Sequence, residues 1–236
     1  MSRRVIAAMA ATLLLGALVA PAVAAQEEPV CGPPGQEVPA TITGSGTIVG
    51  THGDDVIVGS SGDDTILGLG GDDVICGEGG NDRVLGGSGN DVLIGDGADA
   101  PPFVPSNGHN DDHLIGGPGD DLLAGLGGDD DLDGGPGNDQ LLGMGGIDDI
   151  AGGPGDDTAF AGPADDTVSG GPGNDVVFGN YGSDQISGGP GEDFIDGDNP
   201  FPPVPEFPPG LIGTNNDSCR GGPGDDVVNN CESATP

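Results

Sequence analysis

The sequence predicts an all-β protein, a parallel β-roll, on the strength of one periodicity and one unusual composition. A nine-residue pattern, G-G-x-G-[ND]-D-x-U-x with an aliphatic residue at U, recurs seventeen times from Gly50 onward. The chain also has 51 Gly and 22 Pro, but only six Phe, one Tyr and no Trp, too few aromatic residues for a conventional globular core. Repeats of this length are typical of solenoids, in which each unit buries its apolar side chain only against its neighbours. The expected fold is a right-handed β-helix of stacked repeats.

Each repeat divides into a strand and a turn. The last three positions suffice for one short strand, and because side chains alternate along it, only the aliphatic at position eight faces the interior. Glycines at positions one, two and four permit the sharp turn that the other six residues must make. Two repeats therefore form a flattened coil of eighteen residues. Stacked coils place the turns of units n and n+2 above each other, so position-six aspartates form two rows along two edges.

These aspartates are the candidate metal ligands. Two aliphatic side chains per coil cannot offset the entropy of ordering eighteen residues, and stacked carboxylates add repulsion. A divalent cation held by aspartate and carbonyl oxygens would remove that repulsion, and calcium accepts such a ligand set more readily than magnesium. The predicted calcium ligands are Asp55, Asp64, Asp73, Asp82, Asp91, Asp112, Asp121, Asp130, Asp139, Asp148, Asp157, Asp166, Asp175, Asp184, Asp193, Asp217 and Asp226.

The charge of the chain excludes several partners. With 40 acidic and 4 basic residues the formal net charge is −36, which argues against binding nucleic acid or anionic lipid through a basic surface. Clustered Cys or His residues that would favour a soft metal do not occur. His109, Asp111 and His113 could in principle hold zinc, but their place where a loop rejoins the repeats favours a solvated loop edge.

At these repeats the sequence resembles the RTX, or haemolysin-type, calcium-binding nonapeptide family. The resemblance covers Gly50 to about Asn229 and implies a parallel β-roll in which position-six aspartates and turn carbonyls bind several Ca²⁺ ions. Members of this family usually carry an enzymatic or pore-forming domain and a C-terminal export signal. This chain instead has an N-terminal signal and little besides repeats, so it is most similar to the short, secreted, repeat-only bacterial type.

The remaining segments flank or interrupt the repeats. Arg3 and Arg4, an apolar run and a small-residue cleavage site predict a signal peptide at 1–25, with an uncleaved membrane anchor as the alternative. We expect an N-terminal cap at 26–49, the roll at 50–229 and a tail at 230–236. Insertions rich in Pro and Phe, near 96–107 and 198–213, are interpreted as surface loops, with polyproline recognition as the alternative.

Four cysteines suit an oxidising compartment. Of the three possible pairings we expect Cys31 with Cys76 and Cys219 with Cys231, because each would fasten one end of the array, where a stacked repeat has no neighbour. Unpaired thiols are the alternative.

The sequence thus predicts a secreted, non-catalytic calcium-binding protein without membrane insertion. The Asp pairs at positions five and six recur in nearly every repeat, so they indicate architecture and not a catalytic pair. One alternative is an extracellular adhesin or other interaction protein using the same roll. A secreted hydrolase is less favoured, because only residues 26–50 precede the repeats.

Overall fold

A computed structural model describes residues 30–31, 38–97, 110–197, 217–231 and 233–235. Every element among these residues is a strand, which confirms the predicted all-β class. The predicted signal peptide at 1–25 and most of both predicted loops lie outside the described residues. In the described part of the chain, no helix is long and apolar enough to cross a membrane.

Two ten-stranded parallel sheets form the roll, and strands alternate between them along the chain. The first sheet consists of β3 (Ile42–Thr43), β5 (Val56–Ser60), β7 (Val74–Glu78), β9 (Val92–Asp96), β11 (Leu122–Gly127), β13 (Gln140–Gly145), β15 (Thr158–Pro163), β17 (Val176–Tyr181), β19 (Phe194–Asp196) and β21 (Val227–Asn229).

The second sheet interleaves with the first. It consists of β4 (Thr47–Val49), β6 (Thr65–Gly70), β8 (Arg83–Ser88), β10 (His113–Ile115), β12 (Asp131–Asp133), β14 (Asp149–Ala151), β16 (Thr167–Ser169), β18 (Gln185–Ser187), β20 (Ser218–Arg220) and β22 (Ser233–Thr235). A short antiparallel hairpin, β1 (Val30–Cys31) with β2 (Val38–Pro39), precedes both sheets.

The register of the sheets stacks equivalent repeat positions. Leu132 pairs with Ile150 and Ile150 with Val168, so each position-eight residue lies on another. These side chains fill the interior between the sheets and are almost fully buried. Positions seven and nine face outward, as in the exposed–buried–exposed pattern of β12. The predicted eighteen-residue coil and its single inward side chain per strand are confirmed.

The two insertions leave the stacking undisturbed. The Asp82 backbone N–H donates to Asp112 Oδ1 at 2.7 Å across a separation of 30 residues, and the Asp184 N–H donates to Asp217 Oδ1 at 2.9 Å across 33. Elsewhere the same bond spans 18 residues. Both insertions follow a strand of the first sheet and precede one of the second. Each insertion therefore lengthens one turn, and the strand that follows it still takes its regular place in the second sheet.

Both ends of the roll carry a disulfide, as predicted. Cys31 is bonded to Cys76 with a Cα–Cα distance of 5.7 Å, which ties the β1–β2 hairpin to β7. Cys219 is bonded to Cys231 near the other end. Strand β22 lies in the segment expected to be a tail, yet it pairs in parallel with β20. Strands β3 and β4 likewise begin the two sheets inside the segment expected to be a cap.

Candidate metal centre

The position-six aspartates occupy the turns at the two edges of the roll. The first edge comprises the turns that lead into the first sheet, and the second edge comprises those that lead into the second sheet. All these aspartates except Asp226 are buried, with exposed fractions between 0% for Asp217 and 8% for Asp55. Acidic side chains are rarely buried without a partner, so their burial in surface turns requires an explanation.

One oxygen of each carboxylate is engaged with the preceding layer. The Asp139 backbone N–H donates to Asp157 Oδ1 at 2.8 Å, and the Asp157 N–H donates to Asp175 Oδ1 at 2.9 Å. On the second edge the Asp130 N–H donates to Asp148 Oδ1 at 2.9 Å in the same way. Each aspartate thus binds the turn one coil below through Oδ1 and is bound by the aspartate one coil above.

The second carboxylate oxygen has no hydrogen-bond partner in a large subset of these buried aspartates. Leaving a buried carboxylate oxygen unpaired costs more than a typical hydrogen bond contributes, so this recurring deficit must be met by another ligand. Among the described residues, the buried Oδ2 atoms without a hydrogen bond belong to Asp73, Asp82, Asp91, Asp112, Asp121, Asp130, Asp139, Asp148, Asp157, Asp166, Asp175 and Asp193.

A glycine at position one makes room for these oxygens in every turn except that of Asp166, where Ala161 takes the position. A Cβ atom placed on Gly152 would lie 2.5 Å from Asp157 Oδ2 and 2.5 Å from the carbonyl oxygen of Gly170, in the next coil. The same two kinds of oxygen surround Gly134, at 2.5 Å and 2.6 Å. A side chain added to either glycine would collide with both oxygens. In these turns a carboxylate oxygen and a backbone carbonyl of the adjacent layer are therefore brought together.

The chemistry of these oxygens fits calcium. Within the described ranges, no three His, Cys, Asp or Glu side chains converge on a point that could hold a metal ion, so a bound cation must also use backbone carbonyls. Calcium accepts six to eight oxygen ligands, carbonyls included, in flexible geometry, whereas magnesium retains its water. A set of aspartate Oδ2 atoms and glycine carbonyls thus satisfies the requirement for hard ligands, and the position-six residues are the ones that would supply the carboxylates.

Burial raises the pKa values of the twelve position-six carboxyls with an unpaired Oδ2 in the metal-free roll. Desolvation is the main cause, the bond from the backbone N–H acts in the opposite direction, and neighbouring aspartates raise the values further. On the second edge the pKa is raised to about 8 for Asp112 and Asp130. On the first edge it is raised to about 6 for Asp139 and Asp157. A divalent cation would favour the ionised form and so reverse this shift.

Position-five side chains form a separate row in which the hydrogen bonds run in the opposite direction along the stack. The Asn174 backbone N–H donates to Asp156 Oδ1 at 2.8 Å, and the Asp156 N–H donates to Asn138 Oδ1 at 2.9 Å. The Asp and Asn side chains of this row therefore accept from the layer above, while the position-six side chains accept from the layer below. Ile147 is an exception at position five, because its side chain has no acceptor. Asp156, Asn138 and Asn174 are exposed, unlike their neighbours at position six. This row was not predicted from the sequence, although the alternation of Asp and Asn, which share an Oδ1 acceptor, indicates it.

The residues considered for zinc do not converge in the described part of the chain. His109 lies outside it. Asp111 joins the position-five row, where its Oδ1 accepts the Asp129 backbone N–H at 3.0 Å. His113 lies on the outer face of the second sheet, 3.0 Å from Arg83 Nη1 and 3.7 Å from Asp131 Oδ2.

Comparison with known families agrees with the repeats and their geometry. A family model described as the RTX calcium-binding nonapeptide repeat (4 copies) matches residues 42–75, 49–84, 77–99, 108–141, 142–177 and 169–199. None of the curated proteins compared with the chain matches it significantly. The matched segments cover well over half of the chain, and calcium is the ligand of this repeat. The stacked turns, their buried aspartates and this match together place the chain in the family of RTX calcium-binding nonapeptide repeat proteins.

Proposed function

We propose that this protein is a secreted, non-catalytic calcium-binding protein that folds as several Ca²⁺ ions bind between its stacked turns. The observation that carries the proposal is the recurring buried Oδ2 without a hydrogen bond at position six. In turns of both edges a backbone carbonyl of the next coil lies beside this oxygen, that of Gly170 beside Asp157 and that of Ala161 beside Asp148. The unpaired Oδ2 recurs in twelve of the described position-six aspartates, so many similar sites would be filled together.

The proposed ligands are the seventeen position-six aspartates named from the sequence. For Asp157, Oδ1 positions the turn through the Asp139 backbone N–H, which leaves Oδ2 for the cation. The terminal residue Asp226 is half-buried and has no coil above it, so its contribution would be the weakest. Calcium here neutralises neighbouring carboxylates and links adjacent coils.

A non-catalytic role follows from the uniformity of the turns. A catalytic pair of carboxylates needs two groups whose environments differ, so that one is an acid and the other a base or nucleophile. In the roll, Asp139, Asp157 and Asp175 have the same neighbours and the same hydrogen bonds. Secretion is supported by the predicted signal peptide and by the two disulfides, which are typical of oxidising compartments.

Folding coupled to calcium is the test of this function. Protein stripped with a chelator is titrated with Ca²⁺ and, separately, with Mg²⁺, while circular dichroism reports β-structure and calorimetry reports stoichiometry. We expect a cooperative gain of β-structure with calcium at roughly 10⁻⁴ to 10⁻³ M, as for extracellular calcium modules, and little with magnesium. A β signal that neither chelation nor calcium changes would show that the roll folds without the metal.

A further inference from the structure

The two outer faces of the roll differ in character. On the second sheet, the outward positions of the central strands are largely polar, including Arg83, Asp131, Asp133, Thr167 and Ser169. On the first sheet, the equivalent positions are mostly aliphatic or aromatic from one end to the other. The outward residues from β9 to β19 are Val92, Ile94, Leu122, Ala124, Gln140, Leu142, Thr158, Phe160, Val176, Phe178, Phe194 and Asp196.

Part of this first-sheet face is organised as an aromatic cluster. Phe160 and Phe178 stack with their ring centroids 4.8 Å apart and their planes within 10°, and Phe194 tilts against Phe178 at 5.9 Å. All three rings are only half-buried in the described part of the chain. Calcium sites at the edges do not require apolar residues here, since the second sheet is polar at the corresponding positions.

The beginning of the same face is covered by an extended segment. Cys31 of the hairpin is 1% exposed and packs against Val58 and Cys76, with Val74 and Ile94 at the margin of the contact. The disulfide to Cys76 holds this segment in place, and its position shows that a short extended piece of chain can lie against the sheet. Beyond Ile94 the outward residues remain mostly apolar, with Gln140, Thr158 and Asp196 as the polar exceptions.

The size and charge of the uncovered part of this face, from β9 to β19, indicate what kind of partner would bind there. Six strands at about 4.8 Å spacing give a stripe about 24 Å long and one strand wide, which matches a peptide of about seven residues and is too small for a stable homodimer interface. Exposed acidic residues of the position-five rows border the stripe on both edges, such as Asp120 and Asp156 on one and Asp129 and Asp165 on the other. A second copy of a chain with net charge −36 would be repelled.

We propose that the outer face of the first sheet, from β9 to β19, binds an extended segment of a partner protein that is apolar on one side and flanked by Lys or Arg. The apolar side would pack on the Phe160–Phe178–Phe194 cluster, and the basic flanks would face the acidic rows. The chain's own inserted segments fit less well, because residues 98–109 and 198–216 contain no Lys or Arg and do contain Asp and Glu. This interaction is additional to calcium binding and needs only the folded roll.

A synthetic peptide provides the test. A peptide of about seven alternating Leu and Lys residues is titrated against the calcium-loaded protein, with a Ser–Lys peptide of equal length as the charge control. Measurements at physiological ionic strength and at about 1 M salt, where the Debye length is about 3 Å, separate apolar contact from screened charge. We expect the Leu–Lys peptide to bind at least about tenfold more tightly than the Ser–Lys peptide, and to keep part of that advantage at high salt.

Matched variants locate the binding. Phe160→Ser with Phe178→Ser removes the cluster, whereas Leu85→Ser with Ile115→Ser makes the same kind of change at position nine of the second sheet. We expect only the first pair to reduce Leu–Lys affinity to that of the Ser–Lys peptide, while circular dichroism in calcium shows a folded roll. If the first pair does not fold, Phe178→Thr serves instead, because Thr158 already occupies an outward position on this sheet.

Three results would overturn the proposal. Equal affinity of both peptides, or equal effects of both variant pairs, would mean binding by charge alone. Stronger peptide binding after Phe201→Ser with Phe207→Ser would mean that the inserted segment already covers the face. A homodimer at micromolar concentration in sedimentation equilibrium, dissociated by Phe160→Ser with Phe178→Ser, would make a second copy the occupant.

Discussion

On the first edge of the roll, six turns have the sequence Gly-Gly-Pro-Gly, and only Thr51 and Leu69 are larger residues at position two. Most turns of the second edge have a larger residue at position two, with Gly162 as an exception, and this edge carries both insertions. Leu126, Met144 and Asn180 occupy that position with φ between 75° and 81°, a conformation that Gly135 and Gly153 adopt on the first edge without cost. The pKa values of the position-six carboxyls are raised on both edges, to about 8 for Asp130 on the second and about 6 for Asp157 on the first, and they overlap at about 7 for Asp148 and Asp175.

This difference shows that one nine-residue repeat can produce two kinds of turn around the same carboxylate. Both edges offer the same carboxylate oxygen and the same hydrogen bond from the layer below, as Asp148 and Asp157 illustrate. The most strongly shifted carboxyls, Asp112 and Asp130, lie on the second edge, so under the proposed function these two depend most on a cation to keep them ionised. The first-edge turns with Gly at position two are the less strained.

The largest effect is expected where both edges share the interior. Ile150 is fully buried between Leu132 and Val168, so Ile150→Asp would place a charge in a dry core. We expect a loss of about 4 kcal/mol or more of stability and the loss of calcium binding on both edges. Ala151→Asp, on the outward side of the same strand, is the control and should leave the titration nearly unchanged. Calorimetry together with circular dichroism in calcium measures both, and calcium binding retained by the Ile150 variant would contradict a shared interior.

A change at one edge should remain on that edge. Asp157→Ala removes a proposed ligand and also the acceptor for the Asp139 backbone N–H. We expect it to weaken calcium binding at Asp139, Asp157 and Asp175 and to cost about 1 to 3 kcal/mol, because a buried donor loses its partner. The second edge should retain its calcium. The control is the double variant Asp157→Ala with Asp148→Ala, which alters one site on each edge. If Asp157→Ala alone lowered the calcium stoichiometry as far as this double variant does, the edges would not be independent.

Lowering the pH should stabilise the metal-free roll and destabilise the calcium-loaded roll. In the metal-free roll the pKa values of the position-six carboxyls with an unpaired Oδ2 lie above the unfolded value of about 4, so their contribution to stability is complete below pH 4 and is lost as pH rises through about 6 for Asp157 and about 8 for Asp130. Bound calcium holds these pKa values below the unfolded value, so stability is then present above pH 4 and lost as pH falls. Circular dichroism from pH 2 to 8 should show β-structure lost as pH rises above 4 in chelator and lost as pH falls below 4 in calcium, and the same pH dependence in both would contradict the cation's role.

Proton release sharpens the comparison between edges. At pH 7 more of the Asp148 carboxyl, whose pKa is raised to about 7, is protonated before calcium binds than of the Asp157 carboxyl, whose pKa is raised to about 6. We expect Asp148→Asn to lower the number of protons released on calcium binding more than Asp157→Asn does. Calorimetry in two buffers of different ionisation enthalpy measures this number. A larger decrease for the Asp157 variant would reverse the assignment of the two edges.

The smallest effect is expected at position five. Asp156→Asn should change stability by less than about 0.5 kcal/mol, because Asn138 and Asn174 already fill the same row and an amide Oδ1 accepts the same N–H. Asp156→Ala should cost more, about 1 kcal/mol, since the Asn174 backbone N–H then loses its acceptor. Thermal unfolding in saturating calcium compares the two variants. Equal losses of stability in Asp156→Asn and Asp156→Ala would mean that the hydrogen bonds of the position-five row contribute nothing to stability.

The sequence was sufficient for the architecture because one residue type recurs at each structural position. The inward residue and the eighteen-residue coil follow from the period, and the two disulfides were expected because each would fasten one end of the array; the structure confirms all of these. The direction in which a side chain points along the stack could not be obtained this way, since Asp156 and Asp157 are adjacent and chemically alike. Their opposite polarity depends on turn geometry, as does the difference in desolvation between edges. The apolar outer face could also be predicted from the sequence, but only once it was known that consecutive strands alternate between the two sheets.

The central claim is that the two oxygens of a position-six carboxylate have different tasks, Oδ1 holding the turn and Oδ2 the cation. Asp157→Asn tests it most directly, because the amide keeps an Oδ1 acceptor for the Asp139 backbone N–H while it removes the anionic oxygen. Calcium titration calorimetry, with Asp156→Asn as the matched control, should show at least about tenfold weaker binding at the sites of this part of the first edge, with no loss of β-structure in saturating calcium. Unchanged calcium affinity and stoichiometry in Asp157→Asn would contradict the account.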